Sequence, residues 1–248
     1  MWIWFHRLAS PPSFYRVAGR LAPWFLGASV VLLAVGIYSG LVLAPPDYQQ
    51  GDAFRIIYIH VPAAWLSLLI YTVMAVAAFI ALVWRLKVAE VAVAAAAPVG
   101  ASFTALALAT GMLWGKPMWG AWWVWDARLT SELVLLFLYL GVVALNNAIS
   151  DPRAAARACS LLALVGWINV PIVHYSVVWW NSLHQGSIFQ LKGDVLTSSV
   201  SWDMLWPLLL CGLGFTLFFA YVQCLRMRNE LLLREHGSRW VKTVVASL

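Results

Sequence analysis

Six long apolar runs follow one another along the chain, parted by short polar stretches: Ala22 to Leu43, Val61 to Trp84, Val91 to Trp114, Leu129 to Leu145, Leu161 to Trp180 and Met204 to Leu225. A helix crosses the hydrocarbon core of a membrane with roughly 20 predominantly apolar residues, whereas the strands of a closed barrel alternate over about 10. These runs are long and do not alternate. The pattern predicts an all-α integral membrane protein, a six-transmembrane-helix bundle whose even number of spans puts both termini on one side. Pro23 and Pro207 fall in expected first turns, where a missing N–H costs little, while Pro98 should bend the third helix. Gly36 and Gly40 form a small-residue pair that reads as a packing face.

Composition agrees with the pattern. Of 248 residues 63% are hydrophobic and only 10% charged, against about 25% charged in an ordinary soluble domain. A water-soluble globule is excluded. The opening segment lacks the apolar core and small-residue cleavage site of a secretory signal, so the first span is expected to be retained. Within it Trp2, Trp4, Phe5 and Leu8 read as an interfacial stretch.

Basic residues stay with cytoplasmic loops, and here they are divided unevenly. The N-terminus (Arg7, Arg16, Arg20), the second loop (Arg85, Lys87), the fourth loop (Arg153, Arg157) and the tail (Arg226, Arg228, Arg234, Arg239, Lys242) hold twelve of the 16. Only Arg55, Lys116, Arg128 and Lys192 lie on the other side. Both termini are therefore expected in the cytoplasm, with the first, third and fifth loops outside. Asp47, Asp52, Asp126, Glu132, Asp194 and Asp203 outnumber the four outer bases. The net charge of +6 is thus a matter of topology, and no nucleic-acid partner is implied. Cys159, Cys211 and Cys224 lie away from the outer loops, so no disulfide is expected, and the chain has neither a C-x-x-C-H site nor a G-x-x-x-x-G-K-[ST] loop.

Tryptophan carries the most information. Of sixteen, Trp114, Trp119, Trp122, Trp123, Trp125, Trp179, Trp180, Trp202 and Trp206 gather at the outer rim, while the inner helix ends show chiefly Trp24 and Trp84. An interfacial belt alone would be symmetric. The segment Trp119 to Asp126 reads WGAWWVWD; as a helix it would set Trp119, Trp122, Trp123 and Asp126 on one stripe, an aromatic platform ending in a carboxylate.

His60, in RIIYIHVPAAW, and His184, in VVWWNSLHQ, reach the same level from distant segments. A lone histidine near an interface is usually a hydrogen-bonded structural residue. Two of them flanking a tryptophan shelf suggest axial ligands for a flat metal macrocycle, since neutral imidazole binds iron and aromatic faces pack on a porphyrin. His174 lies inside the fifth span and reads as an internal hydrogen-bonding residue with Ser176 as a candidate partner, while His6 and His236 fall on the cytoplasmic side. Arg55 and Arg128 have the fork that pairs with carboxylates such as propionates. Arg128 is equally placed to pair with Asp126 or with Glu132 at i, i+4, a contact of about 0.2–0.5 kcal/mol.

These residues resemble a known family. WGAWWVWD matches without departure the W-G-x-W-W-x-W-D motif of the haem-handling cytochrome c maturation protein C (haem exporter protein C) family, and YIHVPAAW (Tyr58 to Trp65), GKPMWG (Gly115 to Gly120) and HYSVVWWNSLHQG (His174 to Gly186) are similar to its segments. The tail beyond Arg228 matches no motif. The resemblance implies non-covalent haem b at the outer face of the bacterial inner membrane, with His60 and His184 as axial ligands. It implies the segment with Trp119, Trp122, Trp123, Trp125 and Asp126 as platform; Trp114, Arg55 and Arg128 join the candidate haem site from their place at the outer rim. It further implies transfer of haem to a periplasmic chaperone, maturation protein E, together with the ATP-binding cassette subunits, proteins A and B, and the small membrane protein D. On this reading residues 1–248 form one haem-handling membrane domain, with a tryptophan-rich outer loop at 115–128, that acts in assembly and is not an enzyme. A b-type electron-transfer cytochrome would instead pair its histidines within the hydrocarbon. A permease for haem or a small solute would need more than Glu132 and His174 as polar lining.

Overall fold

The computed structural model describes residues 10–184, 186, 189–192 and 195–246. The stretch at Trp2, Trp4, Phe5 and Leu8, with His6 and Arg7, lies outside the described residues, as does Asp194. Helix α1 runs Pro11–Tyr38 and continues as a π-helical turn, Ser39–Leu43. A 3₁₀ turn, Asp52–Ile56, leads into α2, Ile57–Trp84. Then follow α3 (Lys87–Trp119), α4 (Ala127–Ala148), α5 (Pro152–Gly166) and α6 (Asn169–Trp179). A hairpin of β1 (Phe189–Lys192) and β2 (Val195–Ser198) precedes α7 (Trp202–Arg234) and the short α8 (Arg239–Ala246). Six helical stretches are long and apolar enough to cross a membrane, Pro152–Trp179 counting as one.

The helices pack in three layers. α1 lies against α7; α2 and α3 form the middle; α4, α5 and α6 cover the other side. Small residues set the close approaches. A Cβ on Gly36 would meet the Cys211 sulfur at 2.9 Å, one on Gly40 the Tyr58 ring at 2.6 Å, and one on Gly100 would collide with the Tyr139 ring. The Ser29 hydroxyl donates to the Gly214 carbonyl at 2.9 Å across α1 and α7. In the central core the Tyr71 and Tyr139 rings meet edge to face at 4.9 Å, and the Tyr139 hydroxyl donates to the Ser67 carbonyl at 2.7 Å. Lipid cannot satisfy such groups, so each buried polar atom needs an internal partner.

Two local expectations change. Neither Pro23 nor Pro207 is in a first turn: Ser10, Pro11 and Pro12 start α1, because proline is well suited to N1, and Pro23 sits inside it, while α7 starts at Trp202 and Pro207 is its sixth residue. The fifth span is two helices. Pro171 has no N–H for the Trp167 carbonyl and its ring crowds that group. The Val170 N–H takes the Trp167 carbonyl instead at 2.9 Å. Side chains brace the break, with the Trp167 indole donating to Thr72 Oγ1 at 3.2 Å and Asn169 to the Ser131 carbonyl at 2.9 Å. Helix α3 passes through Pro98 unbroken.

Candidate functional site

His60 occupies the first turns of α2, facing α3. Its Nδ1 lies 3.0 Å from Thr110 Oγ1. The Thr110 hydroxyl gives its single proton to the Leu106 carbonyl at 2.7 Å, so it must accept from the ring, and Nδ1 carries the proton. Nε2 then presents a lone pair. Gly111 gives the ring its room, since a Cβ there would come within 3.2 Å of His60 Cε1. Trp114 stands edge-on to the imidazole at 5.5 Å, its indole N–H held by Gln50 Oε1 at 2.8 Å.

His184 lies in the loop after α6. Its Nδ1 is 2.8 Å from Asp126 Oδ2, which also accepts from the Ser182 hydroxyl at 2.6 Å. The other carboxylate oxygen accepts the Leu129 N–H at 2.8 Å and so caps α4. Burial works to raise the Asp126 pKa, but hydrogen bonds from Ser182, Leu129 and His184 outweigh it and hold the carboxyl below its usual range. Burial lowers that of His184, helped by the Arg128 charge and opposed by Asp126. Both directions describe a neutral imidazole donating Nδ1–H to a carboxylate, again with Nε2 free. Trp119 stands edge-on to this ring at 4.7 Å. Each imidazole thus has one tautomer, a polar partner on Nδ1 and a tryptophan beside it.

The helical stripe expected over Trp119, Trp122, Trp123 and Asp126 does not form. Gly120 takes a left-handed conformation, φ 74°, and its N–H closes on the Lys116 carbonyl at 3.1 Å. Glycine reaches this conformation without a Cβ penalty, and it ends the helix. Residues 121–126 are non-helical and Asp126 is the N-cap of α4. Trp123 and Trp125 pair edge to face at 5.3 Å, and the Lys116 ammonium lies 5.9 Å over Trp122. Trp122 and Trp125 are exposed, whereas the Trp123 indole N–H is buried with no acceptor among the described residues.

Both arginines are engaged by protein groups. Arg55 bridges Asp52 Oδ1 at 2.8 Å and the Gly40 carbonyl at 3.0 Å, in the turn before α2. Arg128 pairs with neither Glu132 nor Asp126 within ion-pair distance among the described residues; it donates to the Val173 carbonyl at 3.1 Å, with that of His174 at 3.5 Å. The His174 side chain is exposed, not internal, and packs edge-on to Tyr175 at 4.7 Å. The Ser176 hydroxyl donates to the Val173 carbonyl, one turn back, and no hydrogen bond joins it to His174 among the described residues.

A family model described as Heme exporter protein C matches residues 4–242. The chain is 55% identical over 247 residues to Heme exporter protein C of Escherichia coli (strain K12), an alignment covering 99% of this chain and 98% of that one. The corresponding proteins of Haemophilus influenzae and Rhodobacter capsulatus are 49% and 41% identical, over 100% of both chains and over 94% and 95% respectively. The chain belongs to the heme exporter protein C family. With its six apolar spans, it is an integral membrane protein.

For this family member sequence reasoning missed the anchors. Thr110, Gly111 and Gln50 lie outside the quoted segments, and the first two belong to a helix far in sequence from His60; Ser182 lies within the His174 to Gly186 segment, which gave no sign of its bond to Asp126. Asp126 was visible as the end of the motif, but its part in fixing His184 was not. One signal was available: an aspartate directly before a helical run is an N-cap candidate, and a capping carboxylate has a second oxygen to offer.

Proposed function

We propose that the outer rim holds haem b non-covalently between His60 and His184 and presents it to a periplasmic haem chaperone for c-type cytochrome biogenesis. The observation that carries the reading is the matched pair of imidazoles, each with Nδ1–H tied down and Nε2 unengaged among the described residues. Metal-bound histidines characteristically donate their other N–H in this way. Among the described residues no three His, Cys, Asp or Glu side chains converge to hold a bare ion. A macrocycle that brings four nitrogens of its own needs only two more ligands.

The remaining site residues fit the same cargo. Trp114 and Trp119 wall the two imidazoles, Trp123 offers an unpaired buried donor, and Trp122 and Trp125 leave aromatic surface open to a partner. Arg128 would exchange its carbonyl contacts for a propionate, and Arg55 would serve the other edge from its turn. The division of basic residues supports an orientation with both termini in the cytoplasm and this rim in the periplasm of the inner membrane. The family name is that of an exporter, and ATP hydrolysis falls to partners, the cassette subunits A and B, alongside protein D and the chaperone, protein E. The chain itself acts as one membrane domain in delivery and assembly, not as a catalyst.

The test is a visible spectrum of the purified protein with and without its histidines. His60→Ala or His184→Ala should shift the haem bands and weaken retention, and the double variant should lose most of the haem. Normal spectra and occupancy in the double variant at normal abundance would refute the reading. For orientation, cysteine at Tyr48, which is 89% exposed in the first outer loop, should react with an impermeant thiol reagent in intact spheroplasts. Labelling only after rupture would invert the topology.

A further inference from the structure

Glu132 is a carboxylate inside a membrane span that the site as described does not use. It is 7% exposed, and its Oε1 is buried with no hydrogen-bond partner among the described residues. It lies one turn along α4 from Arg128, and Arg128 and Ser67 are the groups that act on it. The Ser67 hydroxyl spends its proton on the Ala64 carbonyl at 2.8 Å, so its oxygen remains free to accept one. Tyr139, on the same helix, and Tyr71, on α2, whose rings meet edge to face, are further titratable groups of this core; the Tyr139 proton is committed to the Ser67 carbonyl. The elements packed on α4 add little charge. α3 carries Lys87, Glu90 and Lys116 only near its ends, α5 contributes Arg153, Arg157 and Cys159, and the His174 and Tyr175 of α6 are exposed.

Arg128 donates to backbone carbonyls, which carry no net charge. Glu132 and Asp126 are the carboxylates that act on it. Asp126 is already shared among Ser182, Leu129 and His184. Glu132 is therefore the counter-charge of Arg128. When a second carboxylate reaches the same guanidinium in a weakly polarisable setting, the two negative charges cannot both be sustained cheaply, and one site takes a proton. The arriving carboxylate sits at the rim beside water, whereas Glu132 sits inside with an unpaired oxygen.

We propose that Glu132 accepts a proton when the carboxylate edge of a bound ring engages Arg128, so that loading of the rim is coupled to the uptake of one proton. The proton comes from solvent and ends on the Glu132 carboxylate; no other bond is made or broken. The inference rests on the reading that a carboxylate-bearing ring binds here. It makes Glu132 a positioning residue, acting through Arg128 and not on the ring.

The test uses the full-length protein in lipid nanodiscs, titrated with iron protoporphyrin at a series of pH values from neutral upwards. One proton taken up means that the apparent Kd rises about tenfold per pH unit. Protonation of His184 has the opposite sign, weakening binding as pH falls, so the two effects separate. Infrared difference spectra should show a protonated carboxyl band appearing on loading. In Glu132→Gln the pH slope should flatten and the band should vanish; Glu132→Asp should keep both. The porphyrin dimethyl ester, which has no carboxylates, should show no slope with the unmodified protein. Should the Gln variant fail to accumulate, the Asp variant and the ester decide. A slope or band unchanged in Glu132→Gln, an equal slope with the ester, or loading without a slope overturns the proposal while leaving the haem reading standing. Failure of the unmodified protein to load at any pH overturns both.

Discussion

His60 stands on a helix whose later turns include some of the most buried side chains in the molecule, among them Leu66, Ile70 and Met74, and a neutral hydroxyl fixes its ring. His184 stands in a loop beyond a short helix with only two buried residues, Val173 and Ser176, and a carboxylate fixes its ring. The difference follows from solvent. In the apolar bundle a carboxylate would be expensive to bury, and a threonine that can turn its proton to its own helix accepts from Nδ1 at little cost. At the rim Asp126 is affordable because three donors already hold it, and it makes the imidazole a more basic ligand. The first histidine is positioned by packing and the second by hydrogen bonds, so substitutions should separate them.

The largest effect expected on this comparison is from Asp126→Asn. The amide keeps the shape but can present N–H toward Nδ1, which releases the His184 tautomer. Loss of such a supporting carboxylate typically costs 10–100-fold in metal affinity or activity, so haem retention should fall by about that factor while His60-dependent spectral features persist. Haem titration of the purified variant measures this, and unchanged affinity would remove the carboxylate from the account. Trp119→Ala and Trp114→Ala should come next. Burying a large apolar side chain contributes roughly 1.5–3 kcal/mol, and each change should weaken haem binding and perturb mainly its own histidine. Phe at either position should be mild, and Trp125→Ala, at an exposed ring, should leave haem affinity near normal while weakening chaperone loading. Equal haem loss at 125 and 119 would mean a belt, not walls.

Thr110→Val should be smaller on the spectrum and larger on the fold. It leaves the His60 N–H without its acceptor, a cost of about 1–3 kcal/mol for a buried donor, read as lowered thermal stability with haem bands only slightly moved. The smallest effect is one of pH. The folded-state pKa of His184 lies below its ordinary value of about 6.5, so the unfolded chain binds this proton more readily. The neutral form and its contribution to stability are fully present above that value and are lost as pH falls below it. Protonation of His184 in the folded protein should therefore weaken haem retention only below about pH 6.5, on the acid side of the change linked to Glu132. A decline that begins above pH 7 would contradict the burial of this ring.

The spans, and the place of the two histidines near their outer ends, were legible because twenty-residue apolar runs and the rare polar residues that bound them are one-dimensional signals. The shape of the motif was not. A repeat of tryptophans at i, i+3 and i+4 fits a helix only if the backbone continues through Gly120, and the free left-handed conformation of glycine decided otherwise. Pro171 was equally visible, but a proline inside an apolar run either kinks or divides a span, and the choice depends on braces, Thr72 and Ser131, that belong to other helices. Thr110 could not be read as an anchor, since its partner is 50 residues away.

Trp114 and Trp119 stand on the same helix end, five residues apart, which is about 7.5 Å of rise and 140° of turn. One touches His60 and the other His184. The helix runs through Pro117 to Trp119 without a break, so over so short a distance the two contacts move together: a tilt that brings one indole toward its imidazole carries the other along. The terminal turns of α3 are in this sense a single jaw shared by two grips, and a partner that leans on Trp122, whose ring faces the Lys116 ammonium of those turns, would press on both at once.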